Sequence, residues 1–507
     1  MPVITVLPNQ ISVSCQKGVT LLHALQSADL IAESPCGGRG TCGKCHVRVG
    51  EEDVLACQTV VTEDITVTLP QGNANHQVLT DGYMPDFTPD SFESGYGVAI
   101  DIGTTTVVAA LIDLQSGREI ASASDINPQK QYGLDVLSRI TYEVEQGEAG
   151  IHALQSCLIA ALNDMIAQLC HTAQISQCEI QHITVAANCT MMHTLLGADA
   201  RSIGRAPYIP SFTEAKTAKA ADIGLSIAPD GEVYCLPHVS GYIGADIVAG
   251  VHVCDLVHRK GNVLFIDIGT NGEIVLKTDD HLLCCSCAAG PALEGMNISS
   301  GMRAADGAVE DLHITPNGIE LQTIGQQSPL GLCGSGILAA IRELLRQGFV
   351  NQRGQLLKKE QTQDWRTPYL RGEGRQRSVV LGERIAVSQE DVRQVQLAKG
   401  AILSGFTALL GKAGLSMEQL DEVLIAGQFG AHLPAESLIG VGILPPEVAN
   451  KLRYVGNTSK TGAYMTLMRH ETRRELEALS HCMEYFELAQ TPDYDRIFAQ
   501  SMRFPQL

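Results

Sequence analysis

Short stretches of alternating hydrophobic and polar residues occupy the first 70 positions of the chain. I-T-V-L and I-S-V-S, at the very start, predict the two strands of a hairpin. H-V-R-V and I-T-V-T-L alternate in the same way further on, and T-L-L-H-A-L-Q-S-A from Thr20 has the spacing of a short helix. The pattern predicts a small domain of strands and one helix over residues 1–70.

The rest of the chain has the longer apolar strands and long helical patterns of a large α/β protein. Two of its segments resemble each other, V-A-I-D-I-G-T-T-T-V-V-A-A-L-I-D and L-F-I-D-I-G-T-N-G-E-I-V-L-K-T-D. Each is an apolar strand, Asp-Ile-Gly-Thr and a second apolar strand, and their aspartates, Asp101 and Asp267, lie 166 positions apart (267 − 101). The repeat predicts two related halves, residues 96–255 and 256–507, each containing one hairpin.

Residues 71–95, between these regions, show neither the alternation of a strand nor the spacing of a helix. They combine prolines, glycines and acidic residues. We expect a flexible linker here. A coil of this length spans about 25–30 Å root-mean-square, which would let the N-terminal domain reach more than one docking position. A loop packed on the following domain is the alternative.

Composition and charge narrow the functional classes. Hydrophobic residues make up 45% of the 507 positions and charged residues 18%, so each domain can bury a core. The net charge of −20 disfavours nucleic-acid binding, because no basic stripe is available for phosphates. The N-terminus lacks the features of a signal peptide, and no apolar run approaches the length of about 18 residues that spans a membrane. We therefore expect a cytoplasmic protein without membrane contact, whose 16 cysteines are thiols or metal ligands.

Four of these cysteines form a cluster with the spacing C-x5-C-x2-C-x11-C: Cys36, Cys42, Cys45 and Cys57. Glycines between them allow a tight loop whose backbone N–H groups can point at sulfur, and four thiolates on such a loop suit zinc or an iron–sulfur cluster. Zinc sites usually pair two C-x2-C units, whereas plant-type [2Fe–2S] proteins use C-x4-C-x2-C and a distant fourth cysteine. The cysteines are therefore predicted to bind a [2Fe–2S] cluster in a β-grasp ferredoxin domain. A zinc-stabilised module or structural thiols are the alternatives.

The two Asp-Ile-Gly-Thr hairpins carry the residue types that bind a nucleotide together with a metal ion. An acidic residue at a strand end can hold Mg²⁺ through waters, glycine lets the backbone approach a phosphate, and threonine offers a hydroxyl and an N–H. Two such hairpins facing across a cleft would hold a nucleoside triphosphate from both sides. Aspartic proteases also repeat an Asp-x-Gly turn, but they carry Thr or Ser where both hairpins here carry Ile, and their fold is nearly all β.

A third element, D-E-V-L-I-A-G-Q-F-G-A-H-L, ends an apolar strand in two glycines where a flat base could lie against bare backbone. It follows a long amphipathic pattern that begins at Ser388, with Asp391 three residues on, as in a capping box. This order resembles the superfamily of acetate and sugar kinases, Hsp70 and actin, with G-Y-I-G-A-D-I-V-A-G as the helix that closes the first half. The resemblance implies catalytic roles for Asp101 and Asp267. It also implies nucleotide contacts from a set of loop residues: Gly103, Thr104, Thr105, Gly269, Thr270, Asn271, Gly427 and Gly430.

A ferredoxin domain, a linker and this ATPase body together resemble the reductive activators of corrinoid proteins. A-A-G-P-A-L-E-G-M-N-I-S-S-G-M-R-A-A-D-G-A-V-E, G-L-C-G-S-G-I-L-A-A-I and V-G-N-T-S-K-T-G-A fit the same family. The resemblance implies a [2Fe–2S] cluster, ATP and Mg²⁺ as cofactors, and ATP-driven transfer of one electron to a Co(II) corrinoid, which regenerates Co(I) for methyl transfer. The implied partners are the corrinoid protein of a methyltransferase system and an upstream low-potential electron donor, and a homodimer is compatible with it. Longer members carry an extra small domain before the first phosphate strand, which is not found at that place here.

Two other functions remain open at this stage. The same ATPase could serve another acceptor, as the activators of radical dehydratases do, although those activators usually hold a four-iron cluster between subunits. Alternatively, the cluster could regulate a small-molecule kinase or sensor. A kinase needs a positioned general base, and the sequence does not identify one.

Several further residues invite a chemical role. Alternation on a strand places Cys285 and Cys287 on one face and Cys284 on the other, which favours buried thiols over a second metal site. For Glu294, a contact with the nucleotide or Mg²⁺ and a structural role are both open. Core packing or a tight turn is expected for the others: Cys189, His193, His238 and Ser335.

Overall fold

The computed structural model describes residues 1–7, 11–28, 30, 45–50, 52–69, 82–90, 92, 94–427 and 433–506. The chain divides into two compact units, Met1–His76 with Gln131–Leu134, and Gln77–Lys130 with Asp135–Leu507. The predicted cysteine cluster belongs to the first unit, and both Asp-Ile-Gly-Thr segments belong to the second.

The N-terminal unit is a five-stranded sheet with one helix. Its elements are β1 (Val3–Leu7), β2 (Ile11–Ser14), α1 (Leu21–Gln26), β3 (His46–Val49), β4 (Glu52–Leu55) and β5 (Ile65–Thr68). The strand order is β2-β1-β5-β3-β4, with β1 and β5 parallel and the other pairs antiparallel. The Thr20 hydroxyl caps α1 by accepting from the His23 N–H at 3.3 Å, and the helix buries Leu21 and Leu25 against the sheet. The predicted β-grasp arrangement is confirmed.

The first half of the large unit contains a six-stranded sheet in the order β10-β11-β9-β6-β7-β8. Its strands are β6 (Tyr96–Ile102), β7 (Thr106–Asp113), β8 (Arg118–Ile126), β9 (Ile180–Ala187), β10 (Lys216–Lys219) and β11 (Glu232–Cys235). Its helices are α2 (Val136–Gln146), α3 (Glu148–Ala173), α4 (Cys189–Leu195) and α5 (Ala245–Val253).

The second half contains a six-stranded sheet in the order β22-β21-β12-β13-β14-β23 and two three-stranded sheets, β16-β15-β17 and β18-β19-β20. The strands are β12 (Val263–Ile268), β13 (Gly272–Lys277), β14 (Leu282–Cys287), β15 (Ala308–Thr315), β16 (Gly318–Thr323), β17 (Gly331–Leu332), β18 (Leu370–Arg371), β19 (Ser378–Val380), β20 (Ala386–Ser388), β21 (Glu422–Ala426), β22 (Leu452–Gly456) and β23 (Met483–Tyr485). The helices are α6 (Gly334–Arg346), α7 (Gln389–Ala413), α8 (Ala435–Val441), α9 (Thr458–Met468), α10 (Glu471–Cys482) and α11 (Tyr494–Ser501).

The two six-stranded sheets share one plan, as the repeated segments predict. In each, the Asp-Ile-Gly-Thr segment joins two antiparallel strands, β6 with β7 and β12 with β13. The first strand of each hairpin also pairs in parallel with a later strand, β9 in the first sheet and β21 in the second. Because the strands around them correspond, the two loops occupy equivalent places in their sheets.

Helix α9 follows β22 of the second sheet in sequence but packs on β6 and β9 of the first. The Thr184 hydroxyl of β9 donates to the Ala463 carbonyl at 2.7 Å, and Leu467 and Met468 pack on Ala110 and Ile112 of β7. The start of α9 therefore reaches the first of the two Asp-Ile-Gly-Thr hairpins from the other half; we name them the phosphate hairpins after their predicted role.

The second part of the predicted linker differs from a flexible tether. The Tyr83 N–H donates to the Val455 carbonyl at 2.7 Å, and the Asp90 N–H to the Met468 carbonyl at 2.8 Å. Phe87 packs edge-on against the Tyr464 ring at 5.8 Å. The described residues between 82 and 95 therefore pack on the large unit, as the alternative interpretation held, because aromatic side chains anchor them. Residues 70–81 lie outside the described residues.

Among the residues that the structure describes, one helix, α3, is long and apolar enough to cross a membrane by length and composition. Its apolar residues, including Leu158, Leu162 and Ile166, lie in the core of the first half. Packing against the sheet therefore accounts for the composition of this helix.

Candidate functional site

Two of the four predicted cluster ligands lie at one end of the β3–β4 hairpin. Cys45 precedes β3 and Cys57 follows β4, and the Ala56 N–H donates to the Cys45 carbonyl at 2.8 Å. Both thiols are buried, Cys45 at 2% exposure and Cys57 at 8%. A [2Fe–2S] cluster takes four cysteine thiolates, and these two neighbouring thiols fit half of that set. The other two, Cys36 and Cys42, lie outside the described residues.

The first phosphate hairpin joins β6 to β7 through the turn Gly103–Thr105. Each of the three carbonyl oxygens of this turn accepts a hydrogen bond. The Gly103 carbonyl accepts from Asn127 Nδ2 at 2.8 Å, and the Thr105 carbonyl from the Asn127 N–H at 2.9 Å. The Thr104 carbonyl accepts from Arg139 Nη2 at 2.5 Å, and its hydroxyl accepts from Asn188 Nδ2 at 2.9 Å. Glycine is needed at 103, because a Cβ there would lie 2.8 Å from the Thr106 carbonyl oxygen.

Asp101, at the end of β6, is tied to the start of α9. Asn457 Nδ2 donates to Asp101 Oδ2 at 2.9 Å, and the Ser459 hydroxyl donates to Oδ1 at 2.7 Å. Burial raises the pKa of Asp101, while these two hydrogen bonds and nearby Lys460 act in the opposite direction. Asp101 therefore joins the two halves in addition to lining the cleft.

The second phosphate hairpin has the same sequence at its start but a different environment. Its turn is closed by the Gly269 N–H, which donates to the Asn271 carbonyl at 2.9 Å. Asp267 lies against Gly427, where the backbone φ is +90° and a Cβ would lie 2.5 Å from Asp267 Oδ1. Burial, and then the charge of Asp101, raise the pKa of Asp267 to about 7. Gly427 therefore allows the chain after β21 to pass directly beside this carboxylate.

Both hairpins open into a single cleft, which brings nearly all the predicted nucleotide residues together. Asp101, Asp267 and Gly427 line it with both turns, Gly103–Thr105 and Gly269–Asn271. Gly430, the remaining predicted residue, lies outside the described residues. The sequence interpretation did not assign several other lining residues to the site: Asn188, Asp246, Glu273, Asn457 and Ser459. Asp246 lies within the segment G-Y-I-G-A-D, which the sequence interpretation assigned to the helix that closes the first half. The acidic side chain in that segment was the signal that could have placed Asp246 at the site.

The cleft is strongly acidic. In addition to the two hairpin aspartates it contains Asp246, Glu273 and Glu294. Burial, followed by the charges of the hairpin aspartates, raises the pKa of Asp246 to about 8, and burial raises the pKa of Glu273 well above its usual range. Several carboxylates lining one cleft favour a cation among them, and hard oxygen donors suit Mg²⁺. The donor set therefore fits a magnesium–nucleotide complex.

Glu294, whose role was open, lies between the two turns. Its carboxylate accepts from the Thr105 hydroxyl at 2.9 Å and from the Thr270 hydroxyl at 2.5 Å. The two hydroxyl oxygens lie 3.4 Å apart. Burial raises the pKa of Glu294, and the hydrogen bonds from Thr270 and Thr105 and the charge of Arg303 lower it. One buried carboxylate thus touches both phosphate hairpins.

The structure brings together three residues that were considered separately. One donor atom each from Cys189, His193 and His238 lies within 4.8 Å of the other two. The Ser211 N–H donates to His193 Nε2 at 3.1 Å, so His193 Nδ1 carries the proton and donates to the Cys189 carbonyl at 2.8 Å. Both ring nitrogens of His193 are thus engaged within the protein, which supports the structural role expected for it.

The three cysteines of β14 face opposite sides, as alternation predicts. Cys284 lies in the core shared with the first half, and Cys285 and Cys287 lie in the core of the second half. Each thiol contacts a carbonyl oxygen, for example Cys287 Sγ with that of Gly272 at 3.1 Å. Burial raises the pKa of all three, which is unfavourable for thiolate ligands.

Three family models match the chain in series. They describe a 2Fe-2S iron-sulfur cluster binding domain at residues 4–64, the RACo middle region at residues 96–259, and the C-terminal domain of RACo, the ASKHA domain, at residues 261–507.

Two curated relatives and one solved structure agree with these matches. The corrinoid activation enzyme RamQ of Eubacterium limosum is 33% identical over 441 residues, which are 85% of this chain and 74% of the relative. The [Co(II) methylated amine-specific corrinoid protein] reductase of Methanosarcina barkeri is 25% identical over 395 residues, 72% of this chain and 68% of the relative. A solved reductive activator for corrinoid, iron-sulfur protein superposes with a TM-score of 0.73 at 29% identity, covering 100% of this chain and 98% of that one.

The predicted fold is thereby confirmed, with a [2Fe–2S] ferredoxin domain in front of an ATPase body of the actin-like class. The cysteine cluster, the duplicated hairpins and the acidic cleft are the parts that such a chain needs in order to hold an iron–sulfur cluster and a magnesium–nucleotide complex. The chain belongs to the family of reductive activators of corrinoid proteins.

Proposed function

We propose that this protein uses ATP to return the Co(II) of a corrinoid protein to Co(I), by transfer of one electron, so that methyl transfer can resume. The observation that carries the proposal is the convergence of two equivalent phosphate hairpins on one acidic cleft, in a chain that begins with a ferredoxin domain. The names of the relatives, a corrinoid activation enzyme and a corrinoid protein reductase, favour this acceptor over a radical dehydratase or a kinase substrate.

ATP is needed because the transfer is energetically uphill. When held by Cys36, Cys42, Cys45 and Cys57, a [2Fe–2S] cluster supplies an electron at the plant-type potential of about −400 mV. Co(I) corrinoids are stronger reductants than that. A gap of about 200 mV would disfavour the transfer by about 10³, at about 59 mV per decade for one electron. A conformational change driven by nucleotide binding and hydrolysis can offset a factor of this size.

Different residues of the cleft would bind different parts of the magnesium–nucleotide complex. Asp101 and Asp267 would hold Mg²⁺ through waters, since both line the cleft next to the end of a strand. The turns Gly103–Thr105 and Gly269–Asn271 offer backbone N–H groups and hydroxyls to the phosphates. The glycines at 427 and 430 would leave space for the adenosine. Binding therefore draws on both halves of the body.

Coupling between the halves follows from the hydrogen bonds of Asp101. Its donors, Asn457 and Ser459, lie at the start of α9, and α9 packs on the first sheet. A change in charge at Asp101, as phosphate is cleaved and released, alters these bonds directly. We infer that α9 carries the state of the nucleotide away from the cleft.

The partners follow from the same proposal. The protein would bind a corrinoid protein of a methyltransferase system and accept electrons from an upstream low-potential donor. A homodimer is compatible with this scheme. We propose that the protein acts in the cytoplasm, a reducing compartment in which its buried thiols stay reduced.

The decisive experiment follows the Co(II) absorption band of a purified corrinoid protein under a mild reductant. We expect the band to disappear with MgATP and to persist without nucleotide or with a non-hydrolysable analogue. ATP should not affect reduction of the cluster itself, which needs no help at plant-type potentials. Equal loss of the band with and without ATP would remove the proposed coupling and favour the sensor alternative.

The cluster assignment has its own test. Iron and sulfide analysis of anaerobically reconstituted protein should give two of each per chain, as a [2Fe–2S] cluster requires. Cys42→Ser should bleach the visible spectrum, whereas Cys178→Ser, which changes an exposed cysteine of the large unit, should not. Zinc in the isolated protein, with no reducible chromophore after reconstitution, would contradict the assignment.

A further inference from the structure

Glu294 connects the two phosphate hairpins through one carboxylate. It ends the short segment Pro291–Glu294 after β14, and only 4% of its surface is exposed. Oε2 accepts from the Thr105 hydroxyl of the first hairpin, and Oε1 accepts from the Thr270 hydroxyl of the second.

The chemistry of this bridge competes with the chemistry of phosphate binding. A hydroxyl has one proton to donate, and both Glu294 and a phosphate oxygen are acceptors. Thr105 and Thr270 can therefore donate to Glu294 or to a phosphate, but not fully to both. A carboxylate and a phosphate chain also repel each other in a buried site, where charges are poorly screened.

Glu294 is also linked to a long helix outside the cleft. Five residues further on, the Ser299 N–H donates to Asp391 Oδ1 at 2.7 Å, and the Ser299 hydroxyl to Oδ2 at 2.5 Å. Asp391 is the third residue of α7 and closes its capping box with Ser388. The segment that carries Glu294 is thus anchored at one end on the phosphate hairpins and at the other on the start of α7.

We propose that Glu294 is an exchangeable bridge, which the phosphates of ATP displace from Thr105 and Thr270. Displacement frees the segment after β14 from the hairpins and so transmits occupancy of the cleft to α7. This inference rests on the proposed use of ATP and adds the element that senses the phosphate. If Glu294 were instead a ligand of Mg²⁺ or of the nucleotide, its loss would weaken binding, so the two roles predict opposite signs.

The test is the dissociation constant of MgATP for Glu294→Gln, measured by titration calorimetry on the whole protein. We expect about tenfold tighter binding than in the wild type, because the competing carboxylate charge is gone. Glu343→Gln is the control. Glu343 is another buried glutamate, but it lies on α6, does not line the cleft, and its Oε2 accepts from the Ile314 N–H at 3.1 Å. A general effect of removing a buried carboxyl would tighten both variants equally, whereas the bridge predicts a change of less than threefold for Glu343→Gln.

A second variant covers the case in which Glu294→Gln does not fold, as judged by thermal unfolding. Glu294→Asp keeps the charge but is one methylene shorter and cannot reach both hydroxyls, and we expect MgATP to bind about threefold tighter. Unchanged or weaker binding by the folded Glu294 variants, or equal tightening in Glu343→Gln, would overturn the bridge. If the wild-type protein itself binds no MgATP, the proposed function fails instead.

Discussion

The two phosphate hairpins share Asp-Ile-Gly-Thr and the same place in equivalent sheets, but they are held in different ways. In the first, every turn carbonyl accepts a hydrogen bond, from Asn127 or Arg139, and both oxygens of Asp101 accept one from the start of α9. In the second, among the described residues, the Asp267 carboxylate accepts no hydrogen bond and lies against Gly427. Within the described part of the chain, the first loop is therefore held by more side-chain hydrogen bonds than the second.

The difference shows that an identical tetrapeptide acquires its role from its neighbours. Asp101 lines the cleft and also accepts two hydrogen bonds from the start of α9, which joins the halves. The pKa of Asp267 is raised to about 7 by burial and by the charge of Asp101, and its proposed role is confined to the cleft. Glu294 then connects the two loops through the Thr105 and Thr270 hydroxyls.

Replacing Asp101 or Asp267 should have the largest effect on ATP hydrolysis. The two variants should also separate the role of each carboxylate in the cleft from the role of Asp101 in joining the halves. We expect Asp101→Asn and Asp267→Asn each to lower ATP hydrolysis by about 10² or more, because charge at a phosphoryl-transfer centre is lost. Only Asp101→Asn should also lower the free energy of unfolding, by about 2 kcal/mol, since an amide cannot accept from both α9 donors. Hydrolysis assays and urea unfolding give both quantities. Equal stability of the two variants would contradict the anchoring role of Asp101.

Arg139 tests the rigidity of the first hairpin. This guanidinium is buried and donates to the Thr104 carbonyl and to Gln129 Oε1, the latter at 2.9 Å. Arg139→Lys keeps the charge but loses the planar fork, and we expect MgATP to bind about tenfold more weakly in calorimetric titrations. Arg346→Lys, on the exposed end of α6, is the control and should bind MgATP as the wild type does. Wild-type affinity in Arg139→Lys would mean that the first loop does not need this support.

Gly427 tests the environment of Asp267. A methyl group there would meet Asp267 Oδ1 at 2.5 Å in a left-handed backbone conformation. We expect Gly427→Ala to lower ATP turnover about fivefold. Gly414→Ala is a matched control, because Gly414 also has a left-handed φ, +67°, but nothing lies within 4 Å of its added Cβ. The control should lose stability without losing turnover; equal turnover in both variants would show that Gly427 does not position Asp267.

The smallest expected effect is that of replacing Glu143, a buried carboxyl on α2, the helix that also carries Arg139. Burial raises the pKa of Glu143 to about 7, although its Oε2 accepts from the Ala200 N–H at 3.1 Å. Because the folded pKa lies above the unfolded one, Glu143 should cost stability as the pH rises from about 4.5 to 7. Glu143→Gln should therefore be about 1 kcal/mol more stable than the wild type at pH 8 and equal to it near pH 4.5, in urea unfolding. A difference independent of pH would refute the assignment.

The local sequence was enough to predict the two hairpins, because each consists of one continuous segment in which Asp-Ile-Gly-Thr joins two apolar strands. It could not predict that Asn457 would bind Asp101, from 356 positions away, or that Glu294 would reach both threonines. Those contacts depend on how α9 and the segment after β14 return to the cleft, and hydrophobic periodicity carries no information about that. The packing of Phe87 on Tyr464 was missed for a similar reason, since isolated aromatic residues without a period give no sign of packing.

The central claim is that both hairpins serve one ATP-driven reduction. The most direct measurement is the rate of loss of the Co(II) absorption band with MgATP, in the wild type, Asp101→Asn and Asp267→Asn, with the cluster fully reduced beforehand. The account predicts that both variants keep the wild-type visible spectrum of the cluster and reduce Co(II) at least about 10² more slowly. Reduction at the wild-type rate by either variant would contradict it.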